Sequence, residues 1–292
     1  MDDVTLYTGD CAQVMAERIE TGSTDLTVTS PPYDNLRTYK GYIFDFETIA
    51  QQLWRVTKPG GVVVWVVADA TINGSETGTS FRQALRFMEI GFNLHDTMIY
   101  EVAGTGAKGS HKAYWQAFEF MFVFSKGNPK TVNRIADKRN ITRNLSGQTL
   151  RNPEANRDEE LYRTKPVGIR TNIWRYLPGN NGDDQTAHPA QYPEALARDH
   201  IASWSNPGDL VLDPMCGSGT TIKMAVLAQR RAIGIDIAQE YIELTRQRVD
   251  EARSQLHLFP LASNHGFQPT AGAGRSAGLF DQSDDQPSTG GG

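Results

Sequence analysis

Apolar residues fall in short continuous blocks along much of the chain. Leu26-Thr-Val-Thr29 is a β-prone run stopped by Pro31-Pro32, and Gly61-Val-Val-Val-Trp-Val-Val67 follows the turn Lys58-Pro-Gly-Gly61. Runs that are apolar on both faces suit the strands of a parallel sheet, which is covered on both sides. Between them Phe46, Ile49, Ala50, Leu53 and Val56 recur at helical spacing. Phe118 to Phe124 reads as another strand, closed by Ser125-Lys-Gly127. The patterning restarts with a helix around Glu194 to Trp204, the turn Asn206-Pro-Gly208 and strand Leu210-Val-Leu212. A Gly-rich turn, a helix over Thr220 to Ala228, strand Ala232-Ile-Gly-Ile235 and a last helix from Gln239 towards Leu256 complete it. This alternation predicts an α/β fold with a doubly wound, mostly parallel sheet.

Four stretches follow: patterned halves over 1–126 and 176–262, a polar segment over 127–175 and a tail over 263–292. The middle segment is rich in Asn, Arg and Pro without sustained periodicity, and is either a small appended module or a long loop. Gly, Ser, Asp, Gln and Pro dominate the tail, which is expected to be disordered. Composition narrows the class. Hydrophobic content of 39% and charged content of 22% are those of a soluble globular chain. No stretch approaches the roughly 18 apolar residues of a membrane span. The start Met-Asp-Asp-Val lacks the features of a signal peptide, so a cytoplasmic protein with no membrane partner is expected. Cys11 and Cys216 are too few and too distant for a disulfide framework or zinc cluster, and the six histidines show no ligand spacing, so no metal is expected.

A net charge of −5 argues against a nucleic-acid partner until its distribution is considered. From Lys126 to Arg175 twelve Lys or Arg stand against five Asp or Glu, a net of +7. Such a segment is either an electrostatic footprint for phosphate or a solvated loop.

Two short motifs carry chemistry. Asp213-Pro-Met-Cys-Gly-Ser-Gly-Thr-Thr221 lies between a predicted strand and a predicted helix, where open α/β sheets bind ligands and glycines admit close backbone approach. Asp236 closes the next strand 23 residues on, where an acid can hold two ribose hydroxyls. Gly217-Ser-Gly219-Thr-Thr-Ile222 lacks the third glycine of a dinucleotide fingerprint. A carboxylate at Asp213 would also repel a pyrophosphate, whereas it suits a nucleoside with an amino group and positive charge, such as S-adenosylmethionine. The plainer alternative is a structural turn.

Thr29-Ser-Pro-Pro-Tyr33 ends a strand of the first half. An exocyclic base nitrogen is a poor nucleophile because its lone pair is delocalised into the ring. Two acceptors for its N–H bonds, Ser30 Oγ and the carbonyl of Pro31, would pull it towards tetrahedral geometry and free that lone pair. Pro31 and Pro32 stiffen the turn, and Tyr33 can stack on an extruded base. A strand end with a proline turn is the plain alternative. Neither cysteine sits in the Pro-Cys context expected of a thiolate nucleophile, and both read as packing residues.

With these motifs in this order, the chain resembles the amino-methylating (N4-cytosine and N6-adenine) DNA methyltransferases of the circularly permuted β class. Leu6-Tyr-Thr-Gly-Asp10-Cys11, Thr29 to Tyr33, Trp54 to Gly61 and Phe118 to Lys126 match the catalytic half. Asn172-Ile-Trp174-Arg175, His188-Pro-Ala-Gln-Tyr-Pro193-Glu194, Asp213 to Thr221 and Gly234-Ile-Asp236 match the approach to the cofactor half and that half itself. The resemblance spans roughly residues 4 to 250 and implies S-adenosylmethionine as cofactor and double-stranded DNA as partner. It implies that Asp10 contacts the adenine, that Asp213, Gly217, Gly219 and Thr220 line the methionine end, and that Asp236 holds the ribose. The basic segment becomes the target-recognition region, with Arg37, Lys138, Arg139 and Arg143 as DNA-contact candidates. Ser30, where adenine enzymes of this class commonly carry Asp, resembles the N4-cytosine members, as does Asp34-Asn-Leu-Arg37-Thr-Tyr39.

Alternatives are a protein-amide methyltransferase, whose cofactor half comes first, and a DNA-binding relative without catalysis. The class is compatible with a homodimer. Gln255-Leu-His-Leu-Phe259 resembles the peptide by which bacterial proteins dock on the sliding clamp, although a helix end covering the sheet is the plainer reading. Lys40 is a further phosphate-contact candidate, Trp115 and Trp174 suit either DNA stacking or core packing, and Ala68 to Ser80 resembles a family loop near the target base or is a polar loop with no role.

Overall fold

The computed structural model describes residues 3–32, 44–102, 114, 116–139, 167–177 and 192–258. The first half contributes β1 (Val4–Thr8), α1 (Cys11–Arg18), β2 (Thr24–Thr29), α2 (Phe46–Val56) and β3 (Thr57–Val67). It continues with a hairpin of β4 (Thr71–Ile72) and β5 (Ser75–Glu76), then α3 (Thr79–Ile90), β6 (Asn93–Val102) and β7 (Phe118–Ser125). The basic segment holds β8 (Lys138–Arg139), β9 (Val167–Gly168) and β10 (Ile173–Tyr176). The last part comprises α4 (Glu194–Trp204), β11 (Leu210–Asp213), α5 (Thr220–Leu227), β12 (Arg231–Asp236) and α6 (Gln239–Leu258).

Eight strands form one sheet in the order β1-β12-β11-β2-β3-β7-β6-β10. All neighbours are parallel except at β7, which runs antiparallel to both β3 and β6. The doubly wound sheet expected from the sequence is therefore present. Its order also brings the first strand of the described residues against the last, with Thr8 beside Asp236.

Side-chain alternation assigns the two faces. Val62, Val64 and Val66 of β3 pack in one core with Leu196 and Ile201 of α4, Ile222 of α5 and Val249 of α6. Val63, Trp65 and Val67 point the other way, into a core with Met15 of α1, Leu53 of α2 and Phe87 of α3. Burial on both faces is why β3 reads as an unbroken apolar run.

Several elements differ from the sequence reading. The expected turn Lys58-Pro-Gly-Gly61 lies inside β3, which starts at Thr57. The register jumps from Thr24↔Thr57 to Leu26↔Val62, so these four residues bulge from the ladder. Gly60 adopts φ +81° and donates from its amide to the Lys126 carbonyl at 2.7 Å. Helix α3 and strand β6 were not anticipated, and β10 completes the sheet from within the polar segment. Trp174 is a core residue, 5% exposed and packed at 4.6 Å against the His200 ring, so it does not stack on DNA. Among the described residues no helix is long and apolar enough to cross a membrane.

Candidate active site

In open α/β sheets, ligands gather at the carboxyl ends of strands where the chain reverses its winding. Here that point lies between β11 and β2, which are neighbours, one leading outward to β12 and the other to β3. The glycine turn follows β11, and the Ser30-Pro31-Pro32 segment follows β2. The fold thus brings together two motifs more than 180 residues apart in the chain.

The glycine turn is held from behind by α6. Gly217 and Gly219 take φ +50° and +79°, and the Gly219 amide closes the turn on the Cys216 carbonyl at 2.7 Å. Thr245 Oγ1 donates to the Gly217 carbonyl at 3.1 Å, and Arg248 Nη1 donates to that of Ser218 at 2.8 Å. A Cβ on Gly219 would fall 2.5 Å from Thr245 Oγ1, so only glycine lets α6 approach this closely. Thr220 opens α5 and is buried. Cys216 is also buried, where desolvation pushes its thiol well above the usual range, as befits a packing residue.

Two acids mark the next strand ends. Asp236 closes β12 and accepts the amides of Gly217 and Ala238, each at 2.9 Å. Burial raises its carboxyl above the ordinary value, and these two amides oppose the rise. Asp10 follows β1 and caps α1, its Oδ1 accepting the Gln13 amide at 2.9 Å. The Gly9 amide joins the two ends by donating to the Asp236 carbonyl at 2.9 Å. The acids and the glycine turn suit a nucleoside with a positively charged substituent better than a pyrophosphate.

Asp213 faces inward and is 1% exposed. Its Oδ1 accepts the Thr29 hydroxyl at 2.8 Å and the Met215 amide at 3.2 Å, and its Oδ2 accepts the Tyr192 hydroxyl at 3.4 Å. Tyr192 also bonds to Thr221, which donates to the Val28 carbonyl at 3.2 Å. This buried cluster fastens the end of β2 to the end of β11. Burial lifts the Asp213 carboxyl to about 6 against the hydrogen bonds from Thr29 and Met215, and pushes the Tyr192 phenol well up. The sequence reading quoted Thr29 and Tyr192 within motifs but assigned them no role.

Ser30 is partly exposed, Pro31 is buried and Pro32 is partly exposed. Pro32 lines a cavity of about 380 Å³ with Phe44, Phe46, Thr79, Arg82, Gln83 and Arg86. Gln83 is held by the Trp65 indole N–H, which donates to its Oε1 at 2.9 Å. The volume lies in the range of small-ligand pockets. Phe46 was legible as a helix residue, whereas Gln83 and Arg86 were not singled out, because α3 was not read. Tyr33, Arg37, Lys40, Trp115, Arg143 and Phe259 lie outside the described residues.

The basic segment is clamped to α4. Arg170 donates to Asp199 at 2.6 Å, pairs with Asp137 and lies 5.1 Å from the Trp174 ring centre. Tyr176, the last residue of β10, donates to the 2%-exposed Asp199 at 2.9 Å. From this base β8 and β9 pair as a short antiparallel ladder, with Lys138 opposite Gly168 and Arg139 opposite Val167. The Lys138 side chain is exposed. Among the described residues no group of three His, Cys, Asp or Glu is placed to hold a metal ion.

Comparison with known proteins agrees with this geometry. A family model described as DNA methylase matches residues 24–247. The orphan methyltransferase M.BamHII of Bacillus amyloliquefaciens is 51% identical over 250 residues, covering 80% of this chain and 92% of the relative. The solved PvuII DNA methyltransferase (cytosine-N4-specific) superposes with a TM-score of 0.62 at 21% identity, covering 86% of this chain and 90% of that one. The M1.HpyAVI–SAM complex gives a TM-score of 0.57 at 22% identity, covering 84% and 99%. At these identities the solved structures establish the fold alone.

Proposed function

As the chain belongs to the N6/N4 DNA methylase family, whose enzymes use S-adenosylmethionine, we propose that it methylates an exocyclic amino group in double-stranded DNA, at N4 of cytosine. The observation that carries this reading is the 2.8 Å bond from Thr29 to Asp213, which sets the Ser30 turn beside the glycine turn.

Asp236 would hold the ribose hydroxyls of the cofactor, Asp10 the adenine, and the Gly217–Gly219 turn with Thr220 the methionine end. Asp213, which the resemblance also assigns to the methionine end, is 1% exposed and bonded to Thr29 and the Met215 amide, so it would support that turn from behind. Bound there, S-adenosylmethionine supplies an electrophilic methyl group on a sulfonium. Ser30 Oγ and the Pro31 carbonyl accept the two N–H bonds of the target amino group and orient its lone pair for in-line attack. These oriented dipoles and the positioning of both partners carry the catalysis, with no covalent intermediate on the enzyme. Tyr33 stacks on the extruded base. The basic segment, with Lys138, Arg139 and Arg143, and Arg37 near the catalytic turn, neutralises phosphates, which offsets the acidity of the rest of the chain. With DNA as its substrate, we place the protein in the cytoplasm.

The choice of cytosine rests on Ser30. Expression in a methylation-free bacterial host, followed by single-molecule sequencing of its DNA, tests it. N4-methylcytosine within a short recurrent sequence is expected. N6-methyladenine there would overturn the choice of base, and unmodified DNA would favour a relative that binds without catalysis.

A further inference from the structure

The hairpin of β4 and β5 takes no part in the site described above, yet it follows β3 as an exposed element. Every residue of both its strands is exposed, including Ile72 at 54%. Asn73 and Gly74 take φ +51° and +81°, the conformation of a tight two-residue turn that matches strand twist. A lone two-stranded hairpin is marginal in water, and this one is fastened at its root. The Thr77 amide donates to the Ala70 carbonyl at 2.9 Å. Asp69, 7% exposed, accepts the Ser80 amide at 2.9 Å, the Ser80 hydroxyl and the Thr77 hydroxyl at 3.2 Å. Arg82 donates to the Thr77 carbonyl. A buried carboxylate thus anchors a solvent-exposed projection that adds nothing to either core.

Its position gives it a target. The hairpin springs from β3, whose Trp65 pairs with Thr29, the residue before Ser30. Just past its root, Thr79 and Arg82 line the same cavity as Pro32. A duplex that delivers a base to Ser30 must therefore lie against the edge from which the hairpin projects. The tip carries no Lys or Arg between Thr71 and Gly78, and Glu76 is acidic, so phosphate binding is not its chemistry. It offers instead an apolar β-branched side chain and a carboxamide, groups suited to a base step and its edges.

We infer that the β4–β5 hairpin is a DNA-probing finger, with Ile72 wedging at the base step from which the target base is extruded. The inference rests on the DNA-methylation reading above. Ile72 fills the space the extruded base leaves and so lowers the cost of extrusion. The root clamp through Asp69 keeps the wedge in register with Ser30.

The test uses the full chain and duplexes carrying the site found by sequencing. Ile72→Ser and Ile72→Ala are expected to lower kcat/KM for paired duplex about tenfold, as for loss of a wedging side chain. S-adenosylmethionine affinity by calorimetry and the melting temperature should stay at wild-type values, because Ile72 touches neither core. A duplex in which the target base is mispaired, and cheaper to extrude, should recover most of the loss. Wild-type rates in both variants, or equal losses on paired and mispaired duplexes, would overturn the inference and leave the methyltransferase reading intact. Conversion of a dimer to a monomer by Ile72→Ser in sedimentation would assign the tip to a second copy and overturn it likewise. A wild-type protein that methylates no DNA would overturn the parent reading, and the finger with it.

Discussion

Thr29 spends its hydroxyl on the Asp213 carboxylate, inside the sheet and one residue before Ser30. Removing that hydroxyl without changing side-chain shape should let the two turns drift apart while each stays folded. Displacements of about 1 Å can cost in-line reactions about a hundredfold. Thr29→Val is expected to lower kcat roughly ten- to a hundredfold with the KM for S-adenosylmethionine nearly unchanged, and Thr29→Ser should restore it. Steady-state kinetics separate the two constants, and an unchanged kcat in Thr29→Val would contradict the role. Asp213 adds a pH signature. Burial holds its carboxyl at about 6, so the folded protein keeps this proton to higher pH than the unfolded chain does. The stability linked to the group is present below the unfolded carboxylate value of about 3.9 and is lost as pH rises through the folded value. In urea unfolding at several pH values, the wild type should lose stability relative to Asp213→Asn between pH about 4 and about 6, with a constant difference above about 7. A difference that does not vary with pH would contradict this.

At the scale of elements, the glycine turn depends on how closely α6 packs behind it. Gly219 combines φ +79° with a blocked Cβ direction, whereas Gly22 has φ +63° and nothing within 4 Å of an added Cβ. Gly22→Ala should cost only the left-handed backbone penalty of about 1–2 kcal/mol. Gly219→Ala should cost more and also weaken S-adenosylmethionine binding, because the turn must shift away from Thr245. Thermal unfolding and calorimetry of the two variants check this, and equal behaviour would contradict it. The same scale explains what the sequence made legible. Strands β3, β11 and β12 were readable because burial on both faces leaves largely apolar runs, and β2 because Leu26 and Val28 alternate with β-prone threonines up to Pro31-Pro32. Helix α3 was not, because its exposed side carries Phe81, Leu85 and Met88 while its buried side includes Ser80 and Gln83. Strand β6 begins Asn93-Leu-His-Asp-Thr97 and is only partly buried, so it resembles a loop. The Ser30 and glycine turns were legible as local motifs. The bonds of Thr29 and Tyr192 to Asp213 were not, since they exist only once distant strands lie side by side.

Across the whole molecule, the strand order lets the Ser30 segment precede the glycine turn in the chain and still lie beside it. Strand β1 closes against β12, and β2 against β11, so every acid and turn of the site faces one side of the sheet. The basic segment starts at the opposite end of β3, where Ser125 pairs with Val62, and is clamped to α4 through Arg170 and Asp199, while the β4–β5 hairpin follows β3 beside the cavity at Pro32. Exposing unmethylated genomic DNA to purified protein and S-adenosylmethionine, then analysing its nucleosides by mass spectrometry, tests whether this site transfers a methyl group. The wild type should yield a base methylated on its exocyclic amino group, and Ser30→Ala should lower the yield by about a hundredfold or more. A methyl group on ring carbon 5 of cytosine, no methylated base, or an equal yield from Ser30→Ala would contradict the assignment.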